Sequence, residues 1–332
     1  MRAIVLVGGF GTRLRPLTWS TPKQMLPILD RPMIERVVSG LGAVGVTDAI
    51  LSLGYRPDAF FDAYPDDTCA GVRLHYAVEP EPLDTAGAVR FAALDAGIDS
   101  RFIVVNGDVL TDIDVAELWA LHIDRDAEGT IALTPVDDPS RYGVVPIDAT
   151  GKVEAFIEKP PADEAPSNWI NAGTYVFEPS VIDRIPDGRK VSIEREIFPA
   201  MVADGTLYAL QSDDYWVDAG TFETYLQVQL DLIDGTRDTL APIADDASVS
   251  EAATVERSIV MTGAVIESGV TLRNSVVLPG AVVEAGATVT DSIIGPRAVI
   301  GSEATLTETT VIGEGVTIPG GADLKATKVP ED

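Results

Sequence analysis

Val277-Leu278-Pro279-Gly280-Ala281-Val282-Val283-Glu284-Ala285-Gly286-Ala287-Thr288-Val289 places an aliphatic residue at every sixth position. The same lattice extends in both directions: Ile243, Val249, Val255; Val260, Ile266, Leu272; Val277, Val283, Val289; Ile294, Ile300, Leu306; Ile312, Ile318, Leu324. Within each triplet the step is six, and between the first four triplets it is five. A helix repeats every 3.6 residues and a strand every two, so neither sustains this pattern. Hexad periodicity predicts a left-handed parallel β-helix. Each triplet forms one triangular coil, and stacked coils bury a continuous aliphatic ladder. Ala247, Ala253, Ala264, Ala281, Ala287 and Ala298 suit its tight corners. An irregular β-sandwich is the alternative.

Upstream, apolar runs of strand length alternate with longer helical patterns. Ala3–Val7 precedes Met33–Val44, Asp48–Leu53 precedes Pro57–Ala63, Leu74–Val78 precedes Ala86–Asp95, and Phe102–Val105 precedes Val115–His122. Thr130–Val136, Gly143–Ile147, Val153–Glu158 and Gly173–Phe177 add strands, and Phe222–Leu232 reads as a helix before a linker near Asp234–Pro242. The pattern predicts a Rossmann-like, doubly wound α/β domain around a largely parallel sheet, over 1–240, followed by the β-helix over 241–332. Such a sheet binds its ligand beyond the carboxyl ends of the strands.

The 332 residues hold 52 acidic and 24 basic side chains, a net charge of −28, with 46% hydrophobic residues. That apolar content excludes a disordered chain. The charge argues against nucleic acid and against anionic membrane surfaces as partners. Cys69 is the single cysteine, which leaves no intrachain disulfide and no Cys/His zinc cluster, as expected of a reducing cytoplasm. The apolar stretch Ala3–Phe10 is too short for a membrane span and lacks a cleavage signal, so a cytoplasmic location is expected. Only six of the 24 basic residues are lysines, and an acid-rich, lysine-poor surface fits a salt-rich cytoplasm, though it also fits an ordinary acidic protein.

Directly after the first strand comes Gly8-Gly9-Phe10-Gly11-Thr12-Arg13-Leu14-Arg15-Pro16. Its glycines let several backbone N–H groups converge on an anion, although the spacing matches neither the dinucleotide fingerprint nor the P-loop. No Asp or Glu occurs from Met1 to Leu29, whereas Arg2, Arg13, Arg15 and Lys23 do. A cationic patch in so acidic a chain implies a polyanionic substrate, with Arg offering paired donors and Lys a point charge. Arg2, which precedes a buried strand, is better read as paired with an acid elsewhere.

This turn, continued through Leu17-Thr18 and Thr21-Pro22-Lys23, resembles the signature of the sugar-nucleotide pyrophosphorylases, a nucleotidyltransferase family. The resemblance extends through Glu79-Pro80-Glu81-Pro82-Leu83-Asp84-Thr85-Ala86-Gly87-Ala88, Asn106-Gly107-Asp108, Tyr142-Gly143-Val144-Val145, Glu158-Lys159-Pro160, Asn171-Ala172-Gly173, Ser192-Ile193-Glu194 and Trp216-Val217-Asp218-Ala219-Gly220-Thr221. It covers the whole upstream domain, and one branch of the family carries a hexad-repeat tail.

The resemblance implies a nucleoside triphosphate and a sugar 1-phosphate as substrates. Joining two such anions is opposed by repulsion, so catalysis rests on positioning and electrostatics. Gly8, Gly9, Gly11, Thr12, Arg13, Glu79, Leu83, Gly87, Asn106 and Asp108 would bind the nucleotide. Arg13 and Lys23 would hold the β and γ phosphates. Tyr142, Gly143, Glu158, Lys159, Asn171 and Gly173 would bind the sugar phosphate, with Lys159 aiming its oxygen at the α-phosphorus. Asp108 and Asp218 would hold Mg²⁺, a hard cation that takes one or two carboxylates plus phosphates. Read without the family, each is an aspartate after an apolar run, and such residues are ordinarily solvated.

At one point the chain departs from the pattern. The family commonly has Leu-Gly-Thr-Ala-Gly, and this chain has Leu83-Asp84-Thr85-Ala86-Gly87, so Asp84 must avoid a positive φ or tolerate it at some cost. Val5-Leu6-Val7-Gly8-Gly9, the Glu-Pro-Leu segment, and Ser192-Ile193-Glu194 with Phe198-Pro199 most resemble the branch acting on mannose 1-phosphate and GTP. Thymidylyl, uridylyl and adenylyl relatives that use glucose 1-phosphate share most motifs. A non-catalytic regulatory subunit that binds a sugar nucleotide is a rival from another class. An acyltransferase in the β-helix is a third, but the two histidines, His75 and His122, both lie upstream of the repeats. The tail is therefore read as structural, serving a homo-oligomer.

Overall fold

The computed structural model describes residues 1–331, with only the backbone considered at Ala162. Contacts divide the chain into two compact units: Met1–Gly9 with Ile34–Trp216, and Phe10–Met33 with Val217–Asp332. The glycine-rich turn thus begins in one unit and ends in the other.

The first unit is built on a mixed sheet. Strands β1 (Arg2–Leu6), β2 (Asp48–Leu53), β3 (Val72–Val78) and β4 (Phe102–Asn106) run parallel, with β1 between β2 and β4 and β3 outside β2. Helices α1 (Met33–Ala43), α2 (Asp58–Ala63) and α3 (Asp84–Asp95) follow β1, β2 and β3. β1 and β4 are almost wholly buried, as strands sandwiched between helical layers must be. The guanidinium of Arg2 donates to the carbonyls of Ala96 and Gly97 past the end of α3, at 2.7 and 3.1 Å, and its charge acts on the Asp48 carboxylate of the neighbouring strand.

Beyond β4 the sheet departs from the parallel expectation. Helix α4 (Val115–Asp124) leads to β5 (Gly129–Pro135), and β6 (Trp169–Phe177) runs antiparallel to both β4 and β5. β7 (Leu207–Gln211), which the sequence reading missed, adds a parallel edge to β5 after a helical segment that begins at Ile193 and ends in α5 (Phe198–Asp204). The strands expected over 143–147 and 153–158 shrink to Gly143–Val144 and Ile157–Glu158. Pro146 has no donor for a ladder, and Asp148 Oδ1 folds the chain back by accepting from the amides of Thr150 (2.7 Å) and Lys152 (3.0 Å).

His122, on the inner face of α4, is fully buried with Nδ1 2.8 Å from Thr130 Oγ1. Burial, aided by Arg101 and opposed by Glu178, holds its pKa below the ordinary 6.5. The unfolded chain therefore takes up this proton more readily than the folded one. This contribution to stability is full above about pH 6.5 and is lost as the pH falls through the window below it. Urea midpoints at pH 7.5 and 5.5 should differ more for the native chain than for His122→Gln.

In the second unit, three five-stranded parallel sheets close the predicted β-helix. Val260, Ile266, Leu272, Val277, Val283, Val289, Ile294, Ile300, Leu306, Ile312 and Ile318 form one core, each at most 4% exposed. Buried Ser258, Ser275 and Ser292 stack beside it, each hydroxyl donating to the carbonyl two residues back, and those of Ser258 and Ser275 accepting from the amide of the next serine in the stack. Corners are turned by residues with positive φ, stacked as Arg257, Asn274 and Asp291. From Leu306 to Ile312 the step is six rather than five, and at this corner Glu308 and Thr309 both take positive φ.

The same unit includes the loop of residues 10–33 and helix α6 (Phe222–Asp231). Gln229 accepts from the amide of Leu29 (2.8 Å) and donates to Pro27 O (2.8 Å), while Tyr225 Oη donates to Pro27 O. Ser20 bonds Glu314 of the β-helix, and Pro16 packs against Gly313. Among the described residues, no helix is long and apolar enough to cross a membrane.

Candidate active site

In the first unit, the sequence-predicted residues gather where the parallel strands end. Gly8 and Gly9 leave β1, Asn106 closes β4, and the amide of Gly107 returns to Leu6 O at 2.9 Å. A Cβ at Gly107 would lie 2.8 Å from Val7 Cγ1 and 2.9 Å from Leu6 O, so only glycine lets the chain pass this close to β1 before Asp108.

Glu79 follows β3 and is 9% exposed, its carboxylate accepting from Ser52 Oγ (3.0 Å) and from the amide of Leu83 (3.0 Å). Burial pushes its pKa above 4.5, and the two hydrogen bonds oppose that push. Ser52, which the sequence reading missed, is thus what fixes this carboxylate. A Cβ at Gly8 would fall 3.8 Å from Glu79 Oε1, and one at Gly87 would fall 2.8 Å from Leu83 Cβ. These contacts place Gly8, Glu79, Leu83 and Gly87 side by side.

Asp84 takes the positive φ, at 62°, and its Oδ1 accepts from the amide of Thr85 at 2.8 Å. A short carboxylate that bonds its own backbone is among the few side chains tolerated there. Asp84→Gly should leave the urea midpoint almost unchanged, whereas Asp84→Ala should cost about 1 kcal/mol. Thr85 Oγ1 donates to Glu194 (2.8 Å) and accepts from the amide of Ile193 (2.9 Å), which explains the Ser192-Ile193-Glu194 segment as an anchor for the start of α3.

The residues expected to meet the sugar phosphate interlock likewise. β6 is interrupted by a bulge between Asn171 and Tyr175, where Gly173 has φ 74° and donates to Asn171 Oδ1 at 3.1 Å. A Cβ at Gly173 would sit 2.5 Å from Asn106 Nδ2. Such bulges re-aim side chains, and here Asn171 is turned so that its Nδ2 donates to the buried Tyr175 Oη at 2.9 Å. Gly143 pairs with Glu158, and a Cβ there would lie 2.5 Å from Phe156 Cζ and 3.2 Å from Glu158 Oε2. Lys159 adopts φ 52°, donates its amide to Tyr142 O at 3.0 Å, and holds Nζ 3.2 Å from Glu158 Oε1. Trp216 packs edge-on against Tyr142 (5.6 Å) and donates to Ala172 O at 2.9 Å. Tyr175 and Trp216 thus position the others.

The second unit holds Gly11, Thr12, Arg13, Lys23 and Asp218. Gly11 has φ 60°, and a Cβ there would lie 3.1 Å from Thr18 Cγ2 and 3.3 Å from Lys23 Cβ, so the turn lies directly on Lys23. Thr18 Oγ1 donates to Gly11 O at 2.7 Å. A Cβ at Gly220 would fall 2.5 Å from Arg13 Nη2 and 2.7 Å from Asp218 Oδ1, which makes Gly220 the floor beneath both. Among the described residues no three His, Cys, Asp or Glu side chains cluster as a metal cage.

A nucleotide-binding α/β unit with a glycine turn at the end of β1, joined to a β-helix, defines a nucleotidyltransferase. The chain belongs to this family, for residues 2–235 match the Nucleotidyl transferase family and residues 239–330 match the GMPPB C-terminal domain. It is therefore an enzyme, acting on a nucleoside triphosphate and a sugar phosphate. A relative named mannose-1-phosphate guanylyltransferase, from Mycobacterium tuberculosis, is 41% identical over 278 residues, covering 80% of this chain and 77% of that protein. The mannose-1-phosphate guanyltransferase of Schizosaccharomyces pombe is 44% identical over 230 residues, which span 68% of this chain and 62% of that one. Among solved structures, HddC from Yersinia pseudotuberculosis superposes with a TM-score of 0.60 at 31% identity, over 69% of this chain and 97% of that one. A putative glucose-1-phosphate thymidylyltransferase from Bacillus anthracis gives 0.64 at 26% identity, over 70% and 96%.

Proposed function

We propose that this enzyme makes GDP-mannose from GTP and mannose 1-phosphate. A phosphate oxygen of the sugar phosphate attacks the α-phosphorus, a new P–O bond forms, and the bond to the β-phosphate oxygen breaks, with pyrophosphate taking the electron pair. Relatives named for this activity support the substrate pair. The observation that carries the guanine is Glu79: a buried carboxylate is acceptor-only and matches the adjacent N1–H and N2–H donors of guanine, whereas adenine presents the acceptor N1 beside its amino group.

The remaining roles follow from charge and placement. Arg13 and Lys23 neutralise the β and γ phosphates, and Gly8, Gly9, Gly11 and Thr12 supply amides to them. Lys159, tied to Glu158, orients the sugar phosphate for in-line attack, and Asn171 with the Gly143 and Gly173 backbone reads the hydroxyls. Asp108 and Asp218 offer the hard oxygen donors that Mg²⁺ requires, and the missing side chain at Gly220 leaves Asp218 Oδ1 room to act as one. Bound there, Mg²⁺ supplies charge neutralisation for the phosphates.

We further infer a catalytic domain over 1–240, a β-helix over 241–332 that serves a homo-oligomer, a cytoplasmic location, an acidic surface suited to high salt, and no nucleic-acid or membrane partner. The test is pyrophosphate release with Mg²⁺ in high-salt buffer, across five nucleoside triphosphates and the 1-phosphates of mannose, glucose, galactose and N-acetylglucosamine. A dominant GTP and mannose 1-phosphate signal is expected. Another dominant pair would overturn the substrates, and silence throughout would overturn the activity.

A further inference from the structure

The irregular coil of the β-helix and the glycine-rich loop line one cavity of about 450 Å³ within the second unit. From the loop comes Arg13, from the start of α6 come Thr221 and Phe222, and from the last two coils come Glu308, Thr309 and Lys328. The extra residue in the hexad lattice falls at this wall, since Glu308 and Thr309 make the one corner of the β-helix with two consecutive positive φ values among the described residues. The departure from the repeat therefore coincides with the place where the solenoid faces Arg13.

Charges in the cavity are not evenly spent. Glu308 is held by Lys325 at 2.8 Å. Lys328, on the final strand of the β-helix, has no carboxylate partner among the described residues, and its Nζ lies 4.8 Å above the Phe222 ring. Glu223 lines the cavity too, in the first turn of α6, so the walls can hold an anion only if both cations face it. In a chain of net charge −28, an opening that gathers two cations from sequence positions this far apart is a local exception to the acidic surface.

We propose that Lys328 joins Arg13 and Lys23 as a third cation for the pyrophosphate end of the nucleotide, so that the β-helix completes the phosphate subsite. This rests on the reading of Arg13 given above. Lys328→Met keeps the stem over Phe222 and removes the charge. The KM for GTP, and the KM for pyrophosphate in the reverse reaction, should rise about tenfold or more, as for a lost charge-assisted hydrogen bond. The KM for mannose 1-phosphate and the thermal midpoint should stay unchanged, and Lys328→Arg should restore most of the affinity.

Arg13→Ala separates this inference from the reading beneath it. If Arg13→Ala weakens pyrophosphate and Lys328→Met does not, the role of Lys328 is wrong and the phosphate subsite stands. If neither does, the placement of the phosphates at Arg13 falls with it. A lowered thermal midpoint in Lys328→Met with unaltered KM values would make the residue structural and overturn the proposal.

Discussion

Lys23→Ala is expected to lower kcat/KM for GTP by about three orders of magnitude while leaving the fold intact. The side chain supplies a point charge where the triphosphate and leaving pyrophosphate carry the most negative charge, and removal of one such cation from a phosphoryl-transfer site typically costs 10³ or more. Gly11 lies on the Lys23 Cβ, so alanine retains the atom that supports the turn. Circular dichroism and the thermal midpoint should match the native chain. Turnover within tenfold of native would remove Lys23 from the phosphate subsite.

Glu79→Gln is expected to act on the choice of base. The amide still accepts from Ser52 or the Leu83 amide, but it presents one donor toward guanine where the carboxylate presented none. A site whose buried polar group is mispaired discriminates strongly, so kcat/KM for GTP should fall about 10²-fold or more while that for ATP falls little. The pH dependence has a definite sign. The acid form of Glu79 carries a donor like glutamine, and burial raises its pKa above 4.5, so the KM for GTP should climb as the pH falls toward that range in the native enzyme and stay level in the variant. Equal losses for all bases would refute base recognition by Glu79.

What could be read without coordinates was whatever repeats or crowds. The hexad lattice is legible because each coil must fill the same narrow prism, and Val260 through Ile318 lie buried on it. The Gly8 turn is legible because anions need bare amides. The bulge between Asn171 and Tyr175 was not, since setting three residues against one depends on the partner strand rather than on local residue types. Ser52 was missed, and Trp216 was quoted in a motif without a role, for a related reason: each acts by holding another group, across 27 and 44 positions of sequence. Asp84 left both outcomes open, and its local hydrogen bond to the Thr85 amide decides for the positive φ.

The loop bearing Arg13 and Lys23 is encoded near the amino terminus, yet Gln229, Tyr225, Gly313 and Glu314 hold it in place. A ribosome releasing this chain has already made the first strand and the glycine turn long before it makes their support. The enzyme therefore cannot acquire its phosphate-handling loop in ordered form until nearly the last coil is synthesised. A truncated product would carry every signature motif and still lack the scaffold that gives two of them their shape.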